Sequence, residues 1–199
     1  MTTTAEELHA ALAQSRERLL RAIAGVSEEQ FKKRPPAGDG DTGPAWSIAE
    51  VLAHLLQHEK LRAASIALAL ETDGAPIRPL ADSEDSEGAR AGRTAPVPQL
   101  IHGLLAARRG TERLLDTAAE RDGLQRAVTH PRRGRQTIEG LIVDGIVAHE
   151  EDHAEQIAGL RELVGAPPVG AGNQATGNRA GVDRPRGGAG VNSLRNLSP

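Results

Sequence analysis

Two histidines, His149 and His153, stand four residues apart in segment 148–157, a spacing that lets two imidazoles share one atom. Ile142, Ile146, His149, His153, Gln156 or Ile157, Leu160 and Val164 succeed one another at steps of three and four. That is the period of a buried helical face. Residues four apart differ by about 40° in azimuth and about 6 Å in rise, so both rings can converge. A buried imidazole needs a partner for each nitrogen, and one metal ion would satisfy two rings at once. The competing reading, a surface helix with two solvated histidines, is weakened because Glu150, Glu151, Asp152 and Glu155 take the outward positions.

A second helix offers the complement. In segment 46–59, His54 lies three residues after Val51 on the margin of an apolar stripe, and His58 lies one turn further on. Spacing alone permits His54, His58 or both to face His149 and His153. A lone histidine at such a place is more often structural than a ligand, but two helices each offering imidazoles to a shared core favour a metal. With no cysteine in the chain, disulfides, thiolate sites and a cysteine nucleophile are excluded. Any soft-metal site must then use histidine and carboxylate, as zinc and nickel can.

The elements that must position these residues are helical. Only Phe31 and Trp46 are aromatic, so the core is built from Leu, Ile, Val and Ala, a mix suited to packed helices. The first helix is expected over about 4–25, with a Thr4-x-x-Glu7 capping box and Leu8, Leu12, Leu19, Leu20 and Ile23 on its apolar side. A Pro/Gly-rich connection, 34–41, follows. Ser47 caps the second helix, Glu50 completes its capping box, and Trp46 is placed to staple onto Val51; this helix should reach about Leu70. Segment 72–95 is long and polar, which in a compact domain marks a functional or mobile loop. The third helix spans about 97–120. A basic turn, 130–135, leads to Thr137, which caps a fourth helix ending at Gly165 before Pro167 and Pro168. No strand is expected. The fold class is therefore all-α, a four-helix bundle over 1–165.

The block Trp46-Ser47-Ile48 through His54-Leu55 to Glu59, followed by His149-x-x-x-His153 and Gln156-Ile157, resembles the DinB-like superfamily. The resemblance covers about 4–164; the long 72–95 insertion is a departure that bears on the shape of any pocket. It implies a bacterial bundle that binds a divalent metal through three histidines, one from the second helix and two from the last. On that pattern the ligands are His54, His149 and His153. It also implies either a metal-dependent hydrolase or a transferase or isomerase using a low-molecular-weight thiol such as bacillithiol or mycothiol. Three neutral imidazoles with an open fourth position is a catalytic arrangement, able to lower the pKa of water or to activate a thiolate. The rival from another class is a non-catalytic metal-binding or protein-interaction bundle, such as a stress-related one; a polar acid or base beside the metal would discriminate, and no residue in the sequence stands out as one.

Other chemistries fall away. A di-iron bundle needs two inward Glu-x-x-His motifs; Glu150-x-x-His153 and Glu6-x-x-His9 match, but Val51 and Leu55 stand three before His54 and His58. Glu6 and Glu7 also read better as first-turn carboxylates. There is no phosphate-binding glycine loop. His9 and His102 are isolated on outer helices. Glu59 is either a partner for a ligand imidazole or a solvated residue. Arg132, Arg133 and Arg135 could attract an anionic substrate, although a solvated turn is the simpler reading. Gly145, four before His149, provides either room for a ligand or close helix packing, and Gly140 is open in the same way.

Segment 166–199 is rich in Gly, Pro, Asn and Arg without apolar periodicity and is expected to be disordered. The net charge of −3 argues against nucleic-acid binding. No apolar run approaches the roughly 20 residues of a membrane span, and 1–7 lack signal-peptide features. A cytoplasmic protein acting on a small molecule is expected, with a homodimer left open.

Overall fold

The computed structural model describes residues 3–35, 46–77 and 88–168. In chain order it contains α1 (Ala5–Ile23), α2 (Glu28–Lys32), α3 (Ile48–Glu71), β1 (Ala75–Pro76), α4 (Val97–Glu120), β2 (Ala127–His130) and β3 (Gly134–Thr137). A composite last helix follows: α5 (Ile138–Ile142), a π-helical turn (Val143–Ala148) and α6 (His149–Val164). The four long helices form the bundle, α3 lying chiefly on α4 and α1 on α6. Among the described residues no helix is long and apolar enough to cross a membrane.

The helix ends follow local chemistry. Thr4 with Glu7 and Ser47 with Glu50 both form complete capping boxes, and Thr137 accepts from the Gly140 amide. Gly165 ends α6 in the left-handed conformation, φ 74°, where a side chain would be strained. The chain beyond remains attached for two residues: Ala166 packs on the core, and the buried Arg161 donates through Nε, 2.8 Å, to the Pro167 carbonyl. Residues 169–199, expected to be disordered, lie outside the described residues, as do 36–45 and 78–87.

Two expectations need correction. A short helix, α2, stands between α1 and α3 with its own Ser27–Gln30 capping box. And the basic turn is the tip of a β-hairpin. β2 and β3 pair antiparallel, His130 opposite Gly134, while β1 adds to β2 in parallel, Ala75 beside Val128. Three residues link the strands, and Gly134 takes φ 71° at the exit, a conformation suited to a short hairpin. The His130 Nδ1 accepts from the Arg132 and Arg133 amides at 3.0 and 3.1 Å.

The core is divided. One apolar cluster joins Leu19, Ile23, Phe31, Ile48, Leu52, Leu100, Leu104, Ile157 and Val164; the other joins Leu8, Leu12, Ile66, Leu115, Val128, Ile138 and Ile142. Each such side chain contributes about 1.5–3 kcal/mol on burial. Between the clusters every long helix turns polar: Ser15 and Arg16 on α1, Glu59 on α3, Arg108 and Thr111 on α4, Glu150 on α6, all buried. The imidazoles sit beside that layer.

Candidate metal centre

The start of α3 is clamped before the first histidine is reached. Ser47 N–H donates to Glu50 Oε2 at 2.9 Å, and Arg34 donates to the same carboxylate through Nε and Nη2 at 2.9 and 2.8 Å. Arg93 Nε adds a third charged donor at 2.6 Å. Burial alone would raise the Glu50 pKa, but the hydrogen bonds from Arg34, Ser47 and Arg93 outweigh it and hold the carboxyl down at about 2. A carboxylate whose folded pKa lies below its unfolded value contributes stability that is complete above about pH 4.5 and is lost as pH falls toward 2. Glu50→Gln is expected to cost about 2 kcal/mol at pH 7, allowing for screening at the half-exposed arginines, and progressively less toward pH 3. Urea denaturation at both pH values checks this; an equal cost at each would contradict it.

One turn further along α3, His54 is buried against Trp46, their ring centroids 5.1 Å apart. His54 Nε2 lies 3.1 Å from His149 Nε2 across the bundle. Donor nitrogens of His54, His149 and His153 all fall within 4.8 Å of one another. The His54 and His153 rings approach edge to face at 4.8 Å, and those of His149 and His153 at 4.6 Å. His58 belongs to the cluster differently, stacked on His149 at 4.2 Å and 28°. The structure thus brings all four imidazoles together and groups His54, His149 and His153 as convergent donors.

Two further facts suit these rings to a cation. Two nitrogens on one tetrahedral ion at about 2.0–2.1 Å each lie about 3.3 Å apart, close to the His54–His149 separation. Burial pushes the His149 pKa down to about 3, with His58, His153, His54 and Arg62 adding to the effect, so its ring is neutral with a lone pair to offer. His153 Nδ1 meets Gln156 Oε1 at 2.7 Å. With Oε1 accepting, the proton sits on Nδ1 and Nε2 is left as the nitrogen with a lone pair. Gln156 is therefore a positioning residue.

The rings open onto a cavity of about 410 Å³ whose wall includes Trp46, Arg62, Arg133, Gln136, Leu141, Asp144 and Gly145. The π-helical turn shapes that wall. Its wider turn brings residues four and five before His149 onto the histidine side, so Gly145 and Asp144 both line the space. Among the described residues Asp144 is the one carboxylate there. A Cβ on Gly145 would stand 3.0 Å from Arg62 Nε and 3.2 Å from its Cδ, so this glycine makes room for the arginine that crosses from α3. Gly140 also lines the cavity, and a Cβ there would stand 3.3 Å from the cap hydroxyl of Thr137. The hairpin delivers Arg133 and Gln136 to the rim.

The same turn overturns the outward placement of Glu150. Counting at 100° per residue puts it on the surface, but the π turn retards the helix phase and Glu150 is 2% exposed. Glu59, neither solvated nor bound to an imidazole, is buried with it. Arg108 donates through Nε to Glu59 at 2.7 Å and through Nη2 to Glu150 at 2.8 Å. Arg16 Nη2 donates to Glu59 at 2.5 Å, and its Nε lies 2.8 Å from Glu150 Oε1 without the alignment of a hydrogen bond. Ser15 and Thr111 hydroxyls donate to Glu150 and Glu59 at 2.6 and 3.3 Å. Burial lowers the Arg16 pKa, whereas Glu150 and Glu59 raise that of Arg108 above its ordinary value despite burial. Two arginines and two glutamates close a neutral layer directly behind His149 and His58. Away from it, His9 meets Asp116 at 2.8 Å and His102 is exposed.

A family model described as the DinB superfamily matches residues 6–157. Among solved structures, YfiT from Bacillus subtilis is similar over 82% of this chain and 89% of its own, with a TM-score of 0.66 and 22% sequence identity. It is described as "a probable metal-dependent hydrolase with an unusual four-helix bundle topology". At that identity the likeness establishes the shared bundle. No curated protein matches the chain at a significant level.

Proposed function

This chain belongs to the DinB superfamily, and from that premise we propose that it is a metal-dependent hydrolase whose His54, His149 and His153 hold one divalent ion, zinc or nickel. The observation that carries the reading is the grouping of three imidazole donors within 4.8 Å of one another beside an open cavity. Three protein ligands leave a coordination position free, the hallmark of a catalytic rather than a structural site. An ion held there supplies Lewis acidity toward a carbonyl or phosphoryl oxygen and acidifies water. The description of YfiT as a metal-dependent hydrolase supports hydrolysis as the class.

The chain's own groups supply the rest. Asp144, the one carboxylate lining the cavity among the described residues, is the group we assign as proton acceptor for the attacking water. Trp46 and Leu141 give the cavity an apolar wall, and Gln156 fixes the tautomer of His153. Thiol transfer is the neighbouring reaction. Because the chain has no cysteine, any thiolate would arrive with a cosubstrate such as mycothiol.

Purified full-length protein should be assayed against a panel of esters and amides, before and after chelation, with and without added thiol. Hydrolysis that disappears on chelation and returns with one equivalent of zinc or nickel is expected. Hydrolysis that survives chelation would contradict the reading, and turnover only with thiol would move the enzyme to the transferase class.

A further inference from the structure

The cavity beside the histidines is lined by two arginines, Arg62 and Arg133, that no carboxylate pairs with among the described residues. His54, His58 and Arg62 follow at steps of four down one side of α3, so Arg62 extends the line of rings into the cavity. Its side chain passes under Gly145, and its Nε is buried with no hydrogen-bond partner. Among the described residues neither Arg62 nor Arg133 makes an ion pair. Burial depresses the Arg62 pKa, and Arg133, brought to the same wall by the hairpin, adds to the effect, so two like charges share the space. Asp144 lines the same cavity but pairs with neither of them among the described residues. Arg62 is half-buried, so part of its hydration is lost without a matching charge among the described residues, an arrangement that suits a site completed by an anion.

We infer that the substrate carries an oxyanion, carboxylate or phosphate, anchored by the terminal nitrogens of Arg62 with Arg133 closing over it, so that the bond to be cleaved lies at the histidines. The inference rests on the metal reading only for what happens to the substrate, not for how it is held. The guanidinium fork matches two oxygens at once, which a lysine does not. An apolar body on the substrate would lie against Trp46 and Leu141.

Trp46 is the chain's single tryptophan and lines the cavity, so its fluorescence reports occupancy without turnover. The probes are benzoate, inorganic phosphate and neutral benzamide, titrated into the full chain as purified and after chelation. Saturable change with benzoate or phosphate is expected, the tighter of the two identifying the headgroup, and little change with benzamide. In the chelated protein Arg62→Gln should weaken the anion at least tenfold and Arg133→Gln a few-fold, with metal content on reloading unchanged. Arg62→Lys, which keeps the charge and loses the fork, should fall between. Equal binding by wild type and Arg62→Gln, or equal binding of benzamide and benzoate, would overturn the inference. Loss of metal binding with retained, Arg62-dependent anion binding would instead overturn the metal reading alone.

Discussion

Arg108→Met is expected to lower the stability of the protein by about 3–5 kcal/mol, because it leaves Glu59 and Glu150 with a single cation for two buried carboxylates. The methionine replaces much of the lost volume, so the cost is electrostatic rather than a cavity. Both glutamates stand next to histidines in sequence, so the loss also loosens the rings that they back. Replacing Arg16, Glu59, Arg108 and Glu150 together with apolar residues of similar volume should cost far less than the single change, since no charge is then stranded. Urea denaturation gives both numbers, provided the slope is unchanged. A cost under 1 kcal/mol for Arg108→Met would mean that the layer is open to water.

Asp144→Asn is expected to lower kcat on any hydrolysed substrate by about 10²–10⁴-fold, the usual worth of a positioned proton acceptor. Asparagine keeps the size of the side chain and removes its basicity. Metal content and the urea midpoint should be unaffected, which separates a chemical role from a structural one. A variant with full kcat would assign proton transfer elsewhere, and one that lost metal as well would show that Asp144 supports the site mechanically.

Much of this architecture can be read from residues. The capping boxes at Thr4–Glu7 and Ser47–Glu50, the cap at Thr137 and the left-handed Gly165 all appear where their chemistry places them. The leucine and isoleucine spacing marks the four long helices. Spacing left His54 and His58 as equals; the fold separates them, turning one toward the donor group and stacking the other on His149. The hairpin was hidden because its strands are four residues long and only Ala127 and Val128 are buried, too little for an alternating pattern. Ser27-x-x-Gln30 does announce α2, in a segment too short to show periodicity. Glu150 was misplaced because the π turn breaks the 3.6-residue count that projected its direction, and Asp144 belongs to no motif that would single it out.

That broken count is also what lets one helix present His149 to the cavity and Glu150 to the core. The most direct test of the metal centre is equilibrium titration of zinc or nickel into the full chain and its four single histidine-to-alanine variants, with elemental analysis of each. One ion per wild-type chain is expected, with tight binding lost in His54→Ala, His149→Ala and His153→Ala and largely kept in His58→Ala. Stoichiometric metal retained in both His149→Ala and His153→Ala, or loss confined to His58→Ala, would contradict a centre built from His54, His149 and His153.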